Sequence, residues 1–161
     1  MRRTALAVAS IGAILAGLYF WPTDARAIQR TLSTAADAVS SPAGEGDLQR
    51  VARAASLAKC LTTDVVVDSG PDGPSVRGRE MVVGLVSRLR PAGAATVDAA
   101  DARLLIDGQA THATAEVLVR VTASGSGDVS PFDATELTVE LTKIDGEWLI
   151  ARVTRVPGLR H

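Results

Sequence analysis

The sequence predicts an α+β domain, three helices on a mainly antiparallel sheet, behind one N-terminal transmembrane helix. Three observations predict it. Residues 4–21 carry no charge, apolar residues then recur at helical spacing as far as Arg90, and from Thr96 onward the period drops to two. With 161 residues, 47% of them apolar, the chain can bury one core but not two, and its composition is not that of a disordered protein. The expected division is a membrane anchor over 1–22 and one domain over 23–161.

Thr4 to Trp21 follows the basic pair Arg2 and Arg3. As a helix it would be roughly 27 Å long, close to the ~30 Å hydrocarbon core. The basic start keeps the N-terminus cytoplasmic, Tyr19, Phe20 and Trp21 form an aromatic belt at the exit, and Pro22 ends the helix. The alternative is a signal peptide cut at Ala25-Arg26-Ala27. The length of the apolar run, and the membership of Ile28 in the next helix, favour the anchor. The expected location is the inner membrane, single-pass, with the domain on the extracytoplasmic side; a cleaved chain would be secreted. Membrane lipid is thus one expected partner.

Formal net charge is −1, and lysine occurs only at Lys59 and Lys143. Without a basic run or an aromatic ladder, nucleic acid is not an expected partner. The single Cys60 has no intrachain partner, and its neighbours Leu57 and Leu61 suggest a buried thiol.

The elements follow in order. Thr23 is a plausible N-cap with Asp24 in the first turn, and Ile28, Leu32, Ala35, Ala36 and Val39 line a first helix that Ser40 to Gly44 breaks. A second helix spans about Asp47 to Leu61, with Leu48, Val51, Ala55 and Ala58 on one face. Asp64 to Asp68 is a short strand closed by the turn-rich Ser69 to Pro74. Gly78 to Arg90 is a third helix with the stripe Met81, Val82, Leu85, Val86 and Leu89, ended by Pro91. Four strands follow. Asp107-Gly108 and Asp145-Gly146 are hairpin signals, and a flexible connection runs from Ser124 to Pro131 between them.

This order resembles the nuclear-transport-factor-2-like (SnoaL-like) superfamily, in which a curved sheet wraps three helices into a cone. Val76-Arg77-Gly78-Arg79-Glu80 at the third helix and Ile144 to Ile150 at the last strand carry the resemblance, over roughly Asp24 to Pro157. It implies a cone-like fold but no particular activity, because the superfamily hosts isomerases, dehydratases, hydrolases, carriers and assembly subunits. Its enzymes place Tyr, Asp, His or Arg inside the cone. Here the only tyrosine is Tyr19, in the membrane run, so an isomerase-like oxyanion hole lacks its phenol.

The remaining residues offer little chemistry. His112 alternates with Ala113, Ala115, Val117, Val119 and Val121, which puts it on the outer sheet face as a solvated side chain rather than a general base. No set of three or four convergent ligands suggests a metal, and no cofactor is implied. Asp64 and Asp68 share a strand face, but strand-end and turn roles are the ordinary reading. Glu136 and Glu140 lie opposite Leu137, Val139 and Leu141, on the solvent side.

The row Val117, Val119, Leu137, Val139 and Leu141 is expected to form the inner wall. A two-residue turn at Asp145-Gly146 sets Lys143 opposite Trp148, Leu141 opposite Ile150 and Val139 opposite Arg152. The same count at Asp107-Gly108 sets Asp98 opposite Val117. Asp98, Trp148 and Arg152 then form a candidate ligand-binding set inside the cone, with Arg152 meeting Asp98 or a ligand's acidic group. The favoured alternative is a β-bulge that returns Arg152 to solvent. The leading functional expectation is a non-enzymatic binding or assembly module of the bacterial cell envelope, with an envelope protein or a second copy as partner. A carrier with an apolar ligand cavity is second, and an isomerase- or hydrolase-like enzyme third.

Overall fold

One six-stranded sheet organises the molecule, in the order β2-β1-β6-β5-β4-β3. It is seen in a computed structural model that describes residues 23–70, 73–89, 94–124 and 133–156. The expected anchor over 1–22 and most of the connection to Pro131 lie outside those residues. Among the described residues, no helix is long and apolar enough to cross a membrane.

The elements are α1 (Asp24–Val39), α2 (Asp47–Cys60), β1 (Leu61–Asp68), β2 (Ser75–Arg77), α3 (Arg79–Arg88), β3 (Ala94–Ile106), β4 (His112–Ser124), β5 (Asp133–Ile144) and β6 (Glu147–Arg155). The three expected helices and the four-strand C-terminal half are all present. Two features differ from expectation: β1 starts at Leu61, directly out of α2, and the three-residue β2 pairs with its far end. Since β1 runs parallel to β6, the sheet is mixed but mostly antiparallel.

The interior is one apolar cluster. Ile28 and Leu32 of α1, Leu57 of α2, Val65 of β1 and Val82 of α3 meet Ala113, Ala115, Val117, Val139, Leu141, Trp148 and Ile150 of the sheet. The expected inner row is correct: Val117, Val139 and Leu141 are buried, and Val119 and Leu137 pack against the cluster from its margin.

Of the two shorter helices, α2 turns a different face inward from the one expected, whereas α3 keeps only Val82 and Val86 of its expected stripe inside. On α2 the buried residues are Leu57 and Cys60, whereas Leu48 is 87% and Val51 68% exposed. At 100° per residue these two sets lie on nearly opposite sides of the helix. Two constraints select the inner side: the chain enters β1 at once after Cys60, and Arg53 Nε contacts the buried Glu45 carboxylate at 2.8 Å. On α3 only Val82 is buried, with Val83 and Val86 beside it, leaving Met81 and Leu89 outside. Gly78 precedes α3 at φ +95°, a left-handed conformation that glycine adopts without Cβ strain, and donates its N–H to Val65 O at 2.8 Å.

Turn chemistry decides the strand registers. Asp145 (φ 51°) and Gly146 (φ 86°) make the two-residue turn, and Ile144 pairs with Glu147 as counted. Asp107-Gly108 does not. There the loop runs from Asp107 to Thr111, and the Asp107 carboxylate closes it by accepting the Thr111 N–H (2.8 Å) and hydroxyl (2.9 Å).

Candidate functional site

The sheet and α1 are tied together at the N-terminus of α1. Lys143 and Trp148 face each other across the β5–β6 hairpin. The Trp148 indole is buried, and its Nε1 donates to Asp24 Oδ1 at 2.8 Å; Lys143 Nζ donates to the same oxygen at 2.6 Å. Lys143 Nζ also lies 5.6 Å from the indole centroid, within cation–π range. Two turns along α1, the Thr31 hydroxyl donates to Trp148 O at 3.0 Å. Asp24 thus neutralises Lys143 while its charge favours the helix N-terminus.

This cluster was not visible in the sequence as a unit. Asp24 in a first turn and the Lys143–Trp148 pair were each legible, but only the docking of α1 joins them. The hydrogen bonds from Lys143 and then Trp148 hold the Asp24 carboxyl below the usual aspartate range. So placed, Asp24 is a weak proton acceptor, and its chemistry is that of a fixed anion.

A pH dependence follows. A folded-state pKa below the unfolded one stabilises the fold above the ordinary aspartate pKa of about 3.9, and the contribution disappears as pH falls through the lowered value. The gap in melting temperature between the native chain and Asp24→Asn should be widest at neutral pH and close as pH falls below the ordinary aspartate range. A pH-independent gap in circular-dichroism melts would rule this linkage out.

The three residues of the expected interior set do not come together. Trp148 is inside, as counted. Arg152 is not: the pairing shifts between Glu140 and Leu141, so Leu141 faces Ile150 but Glu140 faces Arg152. The extra residue, Ala151, is a bulge that turns Arg152 to the outer face, where its Nε lies 3.7 Å from Glu140 Oε2. Asp98 is exposed and opposite Arg120, because the longer Asp107 loop and a second irregularity between Ala100 and Arg103 move the register.

Other chemistry-bearing residues take ordinary positions. His112 is on the outer face, with a side chain 70% exposed. Burial pushes the Cys60 thiol pKa up, which disfavours the reactive thiolate. Asp68 accepts the Gly70 N–H at 3.2 Å, a turn role. Among the described residues, no three His, Cys, Asp or Glu side chains converge as a metal site.

Among the described residues, two grooves are notable. One of about 630 Å³ lies between α1 and β3, beside Arg26, Arg30 and Ala102. Another of about 380 Å³ crosses β3, β4 and β5 near Arg103, Glu116 and Glu136.

The SnoaL-like domain model matches residues 23–154. No curated protein matches the chain at a significant level. Among solved structures, an Ntf2-like protein with a cystatin-like fold from Novosphingobium aromaticivorans superposes with a TM-score of 0.68 at 15% identity, covering 95% of this chain and 91% of that one. A Mycobacterium tuberculosis protein of unknown function gives 0.65 at 20% identity, covering 81% and 69%. A protein from N. aromaticivorans given the name scytalone dehydratase gives 0.62 at 14% identity, covering 81% and 80%. At such identities the likeness concerns fold alone.

Proposed function

The chain belongs to the SnoaL-like domain family, and from that premise we propose that it is a non-enzymatic binding or assembly module of the bacterial cell envelope, held at the inner membrane by residues 1–22. A fold this versatile does not specify activity, so the reading has to come from the site. The observation that carries it is the interior. Among the described residues, the buried inward positions of β4, β5 and β6 hold alanine, valine, leucine, isoleucine and one tryptophan, Lys143 stands at their rim paired with Asp24, and Arg152, Asp98 and His112 lie outside. An acid–base reaction inside the cone needs a titratable group there.

Two further features support the reading. Large apolar side chains stand in solvent on α2 (Leu48, Val51) and α3 (Met81, Leu89), two helices that contact each other. Apolar surface of this kind is a common basis for contact with another protein. The membrane location is supported by the uncharged run Thr4 to Trp21 behind Arg2 and Arg3.

Cross-linking of the full chain in native membranes tests the proposal. A discrete protein adduct is expected, lost when Leu48, Val51 and Leu89 are together replaced by serine while the melting temperature holds. An adduct pattern unchanged by the triple substitution would overturn it. A small apolar molecule co-purifying in place of an adduct would favour the carrier instead.

A further inference from the structure

We propose that the groove between α1 and β3 binds a small amphipathic anion, a carboxylate carried on a compact apolar body. The inference rests on the reading of the domain as a binding module and names a ligand class for it. Arg26, Gln29, Arg30 and Ser33 follow at i, i+3, i+4 and i+7, so they form a single stripe of α1, and that stripe is one wall of the groove. Both guanidinium groups are exposed. Arg50, Arg53, Arg103 and Arg152 each meet a carboxylate, whereas among the described residues the guanidinium groups of Arg26 and Arg30 make neither an ion pair nor a hydrogen bond. Two like charges one helical turn apart repel. A shared anion removes that repulsion.

Among the described side chains, the opposite wall is apolar and short-chained. Leu32 closes one side, and β3 contributes Ala99 and Ala102. The register irregularity between Ala100 and Arg103 falls at this point of the edge strand, and the short side chains of Ala99 and Ala102 leave room beside it. The resulting volume of about 630 Å³ suits a small molecule rather than a single ion. Guanidinium groups offer a carboxylate charge-assisted hydrogen bonds in a planar fork, and the Gln29 amide adds a neutral donor, while the Ser33 hydroxyl donates to Arg30 O at 3.0 Å. Positive charge on one wall and methyl groups on the other select an anionic head with an apolar body.

The test uses the full chain in phosphatidylcholine nanodiscs, with 2-naphthoate as a fluorescent probe and uncharged 2-naphthol as its control. The native chain should bind 2-naphthoate, and Arg26→Gln with Arg30→Gln should weaken it about tenfold or more, the loss of a bidentate charged contact. Added salt should bring native binding down towards that of the variant. 2-Naphthol should bind weakly and equally to both. Because both side chains are exposed, an unchanged melting temperature should accompany the loss. No binding of 2-naphthoate by the native chain, or equal binding by the double variant, would overturn the proposal. Either failure leaves the assembly reading to be judged separately, by the cross-linking of the triple-serine chain.

Discussion

Trp148→Ala should lower the melting temperature by about 10–20 °C, corresponding to about 3–5 kcal/mol for removal of a buried tryptophan. The magnitude follows from what the side chain does. It is 3% exposed, it fills the core where the β5–β6 hairpin meets α1, and its Nε1–H holds Asp24. The total stability of a domain this size is about 5–15 kcal/mol, so the variant would retain a modest folded margin. Trp148→Phe separates the two roles. It keeps most of the packing and removes only the hydrogen bond, and should cost about 1 kcal/mol. If both variants melt within a degree or two of the native chain, α1 is not docked through this cluster.

Leu141→Asp should leave the domain unfolded at ordinary temperature. Leu141 is 1% exposed, between Ala113 on β4 and Ile150 on β6. An aspartate there has only methyl groups around it, and an unpaired buried carboxylate costs several kcal/mol on top of the lost packing. Leu141→Ala measures the packing part alone, at about 2–5 kcal/mol. His112→Ala, one strand away but on the outer face, should lie within about 0.5 kcal/mol of the native chain. Chemical denaturation of the three variants reads this contrast. Equal tolerance of aspartate at position 141 and alanine at position 112 would mean the two sheet faces have been exchanged.

The same two sheet faces separate what the sequence by itself determined from what the tertiary structure decided. Period-two alternation from Ala113 to Val121 and from Leu137 to Leu141 needs no partner to be read, because side chains on a strand alternate by geometry. That alternation determined the inner wall, and with the left-handed pair at Asp145-Gly146 it determined the position of Trp148. The extent of α1 was equally legible, since its apolar residues lie along one side only.

Arg152 and Asp98 were not legible, for a different reason. A register count carries every inserted residue forward, and neither the bulge at Ala151 nor the side-chain closure of the Asp107 loop has a sequence signal of comparable strength. One extra residue exchanges the faces of everything beyond it. The helices α2 and α3 carry apolar residues on more than one side, so their periodicity alone selects no inner face. The immediate entry of α2 into β1, the Arg53–Glu45 contact and the Gly78 bond to Val65 select it. Elements with one apolar side were therefore determined locally. Those with a choice of sides were decided by what the neighbouring chain could reach.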